Sequence, residues 1–196
     1  MLATMPNLSD GTIALRPLCP SDAAALYESV VESIAHLSPW VPWCHAGYAR
    51  AETDSFIAFA EKAWSERGEY PFGIFSAADG RHLGGIGINH IVKPYQLGNV
   101  GYWVRSSGVG RGIAGAAVRL VSRYAFETLG LTRIEIACVT ENRASRRVAE
   151  KVGARFEALC RNRLVVRGKP VEAALYSLIP GDVPIDCVKP GEGRPA

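Results

Sequence analysis

Gly101-Tyr102-Trp103-Val104-Arg105-Ser106-Ser107-Gly108-Val109-Gly110-Arg111-Gly112-Ile113-Ala114-Gly115 is the stretch that decides the fold. It runs from a short apolar segment, through a glycine-dense turn, into a segment with helical spacing. Gly108, Gly110 and Gly112 permit positive φ and close approach of the main chain to a bound group. A helix beginning near Arg111 offers unpaired N–H donors and roughly half a positive charge, which favours a phosphate or pyrophosphate at that point.

Gly110 to Gly115 also satisfies the G-x-G-x-x-G pattern of dinucleotide-binding turns. Its surroundings do not fit that pattern. A dinucleotide turn follows its strand at once and wants an acid about 20 residues later, at the end of the next strand. Here Arg105 to Gly108 intervenes, and Glu135 falls inside the next apolar run.

Further motifs flank the turn: Leu37-Ser38-Pro39-Trp40-Val41-Pro42-Trp43 upstream, then Glu141-Asn142-Arg143-Ala144-Ser145 and Glu150-Lys151-Val152-Gly153-Ala154-Arg155-Phe156 downstream. A proline-tryptophan segment, a Gly-Tyr-Trp strand, a Q/R-x-x-G-x-G/A loop, Asn-x-x-Ser and a Glu-Lys-x-Gly helix end, in this order, resemble the GNAT superfamily of acyl-CoA N-acyltransferases. Within it the ribosomal-protein (alanine/serine) N-acetyltransferase branch fits best, over residues 10 to 178. The resemblance implies an α/β (α+β) fold: a mixed central sheet with a β-α-β coenzyme A site and helices on both faces. It implies acetyl-CoA as co-substrate, held by Trp103, Val104, Arg105, Val109, Gly110, Arg111, Gly112, Ile113, Ala114, Asn142 and Ser145. A main-chain amide near Val104 would polarise the thioester carbonyl. Ser145 matches a serine thought to support the departing thiolate, and is the first catalytic candidate. Two positions depart from the pattern. Val109 stands where Gln or Arg is usual, and Asn99 stands where relatives often carry a glutamate suspected of proton transfer.

In chain order, Thr12 to Arg16 alternates as a strand does, and Ser21 and Asp22 offer an N-cap to a helix that stops before Pro39. Trp40 and Trp43 follow in a proline-bounded loop, where they either line a substrate groove or pack as core. Tyr95 and Tyr102 join them as substrate-binding candidates. Phe56, Phe59, Ala60, Ala63 and Trp64 form a stripe at helical spacing and are expected in the core. A hairpin from Tyr70 turns at Asp79-Gly80 and returns through Leu83 to Val92. Its His90 is the second catalytic candidate, because imidazole titrates near neutrality; the plainer reading is a hydrogen-bonded strand residue. Arg133 to Val139 completes a right-handed β-loop-α-β unit. That places Asn142 and Ser145 at the ligand-binding edge of the sheet, where their plain reading is helix capping. A final hairpin turns at Arg167-Gly168-Lys169. The expected division is an N-acetyltransferase domain over 1–180 and a Pro/Gly-rich tail over 181–196.

With 196 residues, the chain has the length of one ordinary domain. Its five cysteines are odd in number and lack C-x-x-C spacing, as expected of reduced thiols with no metal site. The start is neither basic nor apolar, and no apolar run approaches the ~20 residues of a membrane span. A cytoplasmic protein is expected, monomer or homodimer. The net charge of +3 is too small to argue for nucleic acid, and no direct nucleic-acid binding is expected. Basic residues nonetheless outnumber acids between Asn142 and Pro170, which is a solvated face, an attraction for the coenzyme's phosphates, or an attraction for ribosomal RNA around a protein substrate.

No cysteine lies in a nucleophile motif, so the expected chemistry is direct attack of a primary amine on acetyl-CoA with both bound. The amine must be neutral. An α-amine with pKa about 7.7 to 8.0 starts about 3.5 kcal/mol better placed than a lysine near 10.4. A chain without a clear carboxylate base therefore suits a protein N-terminus. Two alternatives stay open: acetylation of a small amine such as a polyamine or antibiotic, and acyl-CoA binding without transfer.

Overall fold

Alternating and helically spaced apolar residues divide the chain into eight strands and four α-helices across the described residues, 5–183, of a computed structural model. Their order is β1 (Leu8–Ser9), β2 (Ile13–Arg16), α1 (Ala23–Leu37), α2 (Arg50–Glu66), β3 (Tyr70–Ser76), β4 (His82–Val92), β5 (Leu97–Val104), α3 (Ile113–Glu127), β6 (Arg133–Val139), α4 (Arg143–Lys151), β7 (Arg155–Val166) and β8 (Lys169–Leu178). One mixed sheet takes all the strands, in the order β1-β2-β3-β4-β5-β6-β8-β7. Of the expected tail, 181–196, residues 184–196 lie outside the described residues; Gly181 and Asp182 belong to a 3-10 turn over Pro180–Asp182, and Val183 is buried.

Only β5 and β6 are parallel neighbours, and α3 makes the crossover that such a pair requires. They pair over Leu97–Asn99 and Arg133–Glu135, and then part. Arg105 N–H donates to the Leu83 carbonyl at 2.8 Å, on the β4 side. Because bonding direction alternates along an antiparallel strand, the amides of Tyr102 and Val104 turn the other way, into the opening beside β6.

Period-two alternation gives the sheet two apolar faces. Phe72, Ile74, Ile86, Ile88, Val100 and Val104 pack with Val118 and Val121 of α3 and Ala149 of α4. Phe75 faces the other way, against Leu26 and Val30 of α1 and Ile57 of α2, with Trp103 beside them. Helices thus cover both faces, as expected.

The expected stripe on α2 is corrected in part. Its buried residues are Thr53, Ile57, Ala60, Ala63 and Trp64. Phe56 and Phe59 stay 40% and 48% exposed, one step round the helix from the face that docks on the sheet.

His82, at the start of β4, is buried between Phe75 and Trp103. Its Nδ1 lies 2.7 Å from Ser29 Oγ, and the Ser29 hydroxyl donates to the Ala25 carbonyl, so the ring proton is assigned to Nδ1. Nε2 has no partner among the described residues. Burial, helped by the Arg105 and Arg16 charges, pushes its pKa down to about 4. The sign follows from linkage: an unfolded histidine takes a proton near 6.5, before the folded one does, so stability falls as pH drops from there towards 4. The full effect is about 3 kcal/mol. Urea midpoints measured from pH 7 to 4 are expected to decline across this window, and a flat profile would contradict the assignment.

Candidate active site

The glycine-rich turn is held open by its own conformation. Gly110 and Gly112 have φ of 81° and 79°, and a Cβ at either would meet nothing within 4 Å. Gly108 is a packing glycine instead, because a Cβ there would lie 3.0 Å from the Val104 side chain. Gly112 is the N-cap of α3, and the first bond into the helix is Ala116 N–H to the Gly112 carbonyl, 3.0 Å. The amides of Gly110, Arg111, Gly112, Ile113, Ala114 and Gly115 find no acceptor among the described residues. Free donors beside a helix N-terminus suit a diphosphate.

Arg105 departs from its expected role as a coenzyme contact. Its residue is 2% exposed. The guanidinium contacts Glu32, donates to Glu28 at 3.0 Å and to the His82 carbonyl at 3.1 Å. Buried and paired with α1, this side chain turns away from the loop's open side. Glu32 also accepts from Ser107 N–H at 2.7 Å, and Ser33 Oγ from Ser106 N–H at 2.9 Å. Three adjacent loop residues are therefore tied to α1. The Arg105 guanidinium, seconded by the Ser107 N–H, holds the Glu32 carboxyl down at about 2.

Across the opening, Asn142 caps α4 by accepting from Ser145 N–H at 3.1 Å. Tyr102 meets Ser145 there. The phenol donates to the Ser145 carbonyl at 3.0 Å and lies 3.1 Å from Ser145 Oγ. Burial pushes the Tyr102 hydroxyl well above the ordinary phenol range, so it stays protonated. Cys138, on the facing strand, is also raised by burial, which leaves it a poor nucleophile.

A cavity of about 650 Å³ runs from Ser145, Asn142 and Tyr102 through the parting of β5 and β6 to the α1–α2 side of the sheet. There it is walled by Trp40, Trp43, Phe56 and Phe59, with His45, Glu52 and Glu69 in the same wall. Trp43 packs edge-on to Trp103, with ring centroids 5.8 Å apart. His45 Nε2 lies 2.9 Å from Glu52 Oε2. The Ala49 N–H and then His45 keep the Glu52 carboxyl below its usual range.

Two expected residues are absent from this wall. His90 is exposed in the irregular stretch between Asn89 and Val92, where φ of 49° breaks the alternation that would aim it inward. Tyr95 is 74% exposed on the 3-10 turn between β4 and β5. Asn99 donates to Asn89 Oδ1 at 2.8 Å, and it is an amide rather than a base. Sequence reasoning missed Phe56, Phe59, His45, Glu52 and Glu69. The first two were visible as a stripe but assigned to the core.

Residues 12–155 match the acetyltransferase (GNAT) domain family. The chain belongs to that family. It is an acetyl-CoA-dependent N-acetyltransferase. A Bacillus subtilis protein provisionally named as a ribosomal N-acetyltransferase, YdaF, is 29% identical over 168 residues, 85% of this chain and 91% of its own. The structure of Mycobacterium smegmatis RimJ in complex with CoA-disulfide is 30% identical, covers 92% of this chain and 88% of that one, and superposes with a TM-score of 0.81. RimL, the ribosomal L7/L12 α-N-protein acetyltransferase, in complex with coenzyme A shares the fold at 22% identity and a TM-score of 0.80. In this acetyltransferase no helix among the described residues is long and apolar enough to cross a membrane.

Proposed function

We propose that the acceptor is the α-amine of a protein N-terminus, and that a ribosomal protein, the acceptor class in the names of RimL and YdaF, is the natural one. The cavity carries this reading: it is continuous from Ser145 to an aromatic wall large enough for several residues of peptide. The amides of Gly110 to Ala114 hold the coenzyme's diphosphate, whereas the Val109 N–H is taken up by the Ser106 carbonyl at 3.3 Å and adds no donor. The free amides of Tyr102 and Val104 face the thioester oxygen and stabilise the charge that develops there. The amine nitrogen attacks the carbonyl carbon, the C–N bond forms and the C–S bond breaks. The Ser145 hydroxyl, whose proton rests on the Tyr102 oxygen while Tyr102 donates to the Ser145 carbonyl, turns that proton to the departing thiolate. The amine's proton leaves by the His45–Glu52 pair, in place of His90. Trp40 and Trp43 bind the acceptor. The protein acts as a monomer or homodimer.

Two peptides separate this reading from lysine or small-amine acetylation: one beginning with Ala or Ser, and the same sequence blocked at the α-amine but carrying an internal lysine. Thiol release with the first and none with the second is expected; the reverse, or release only with polyamines, would refute the acceptor assignment. Ser145→Ala is expected to lower kcat about 100-fold while the Kd for acetyl-CoA moves little, in the range of positioned proton donors. An unchanged kcat would remove Ser145 from the chemistry.

A further inference from the structure

Gly101 and Gly87 stand opposite each other on β5 and β4, two inner strands of the sheet. Glycine weakens a strand, because it costs chain entropy and offers nothing to pack, so an opposed pair needs a reason. Conformation does not supply it, since neither residue has positive φ. Packing supplies it for the neighbours: a Cβ on Gly85 would lie 2.6 Å from the Trp103 indole nitrogen, and one on Gly87 3.3 Å from Pro71 Cα. Gly101 is different. A Cβ there would meet nothing within 4 Å, and the residue is exposed despite its inner strand. Its open side is the cavity, on the same face as Trp103 and beneath the loop of Trp43.

We infer that Gly101 is the seat of the acceptor's first residue, a bare patch of sheet on which the peptide's own main chain and first side chain lie. The inference rests on the acetyl-transfer reading of this cavity, and adds to it the residue that sets which N-termini fit. The adjoining wall matches a peptide N-terminus. Phe56 and Phe59 give apolar contact, and Glu69 lines the cavity with no ion pair among the described residues, so it attracts an incoming ammonium group. A main chain needs close approach to the strand, which side-chain-free residues permit. A methyl at Gly101 would occupy that space without touching the protein.

The test is Gly101→Ala and Gly101→Val, assayed with acetyl-CoA against peptides beginning with Gly, Ala, Ser and Leu, and against glycinamide as a minimal amine. One methylene in a pocket changes discrimination by about 10- to 200-fold. On that scale KM for the Ala and Ser peptides is expected to rise about tenfold in Gly101→Ala and about 100-fold in Gly101→Val. Larger first residues should suffer first and glycinamide least, while the Kd for acetyl-CoA stays within about twofold and the melting temperature does not fall. Unchanged peptide KM in Gly101→Val, or an equal loss for glycinamide and every peptide, would overturn the seat. Should the unaltered protein acetylate no amine, the acetyl-transfer reading fails separately. The seat is then judged by peptide quenching of tryptophan fluorescence in the coenzyme-loaded protein: quenching that Gly101→Val abolishes supports it, and quenching that persists overturns it.

Discussion

Glu32→Ala is expected to cost about 3 kcal/mol of folding stability, at the low end of the range for breaking a buried ion pair. The reason is asymmetry. Arg105 is almost wholly enclosed, and without Glu32 its charge keeps only the largely exposed Glu28 and the His82 carbonyl. Arg105→Met should cost less, because it removes the buried charge and leaves behind carboxylates that water reaches. Urea unfolding of both variants gives the order, and Arg105→Met proving the worse would mean that the guanidinium stabilises the fold by contacts other than its charge. The same change releases Ser107 N–H, so Glu32→Ala is also expected to weaken acetyl-CoA about tenfold, the loss of one charge-assisted anchor for the loop. The Glu32 carboxyl, held at about 2, keeps this contribution at neutral pH. It is lost as pH falls from the ordinary carboxylate value towards 2.

The second large effect is at Gly112. Both Asn and Asp tolerate the left-handed backbone better than other residues, so they share whatever strain φ of 79° imposes. They differ in charge. Gly112→Asp places a carboxylate against the diphosphate and is expected to weaken acetyl-CoA at least about 100-fold, whereas Gly112→Asn should lose about tenfold or less, in line with like-charge costs of several kcal/mol at close range. Calorimetric titration of both gives the comparison. Equal losses would show that backbone conformation, not charge at the helix N-terminus, governs binding.

Where the sequence was legible, the cause is local. Gly110 and Gly112 need positive φ, Asn142 caps the helix that carries Ser145, and Trp43 follows a proline that confines it to a loop. Each is fixed by neighbours within a few residues. The β-loop-α-β unit was legible because a helical segment lies between two apolar runs, whereas the mixed sheet as a whole was expected from the family resemblance. Arg105 was misread because its partners, Glu28 and Glu32, lie more than 70 residues earlier, and nothing beside it signals burial. Phe56 and Phe59 share the helical period of the core face but sit one step off it, and a repeat alone cannot give the angle at which a helix docks. His90 was a candidate for its imidazole chemistry alone, and the irregular pairing between Asn89 and Val92 leaves it exposed.

Crystals grown with acetyl-CoA test the coenzyme site most directly. The expected result is a diphosphate within hydrogen-bonding distance of the amides of Gly110 to Ala114, with the thioester between Tyr102 and Cys138. A coenzyme bound elsewhere, or a diphosphate held by side chains while those amides bond only to water, would contradict it.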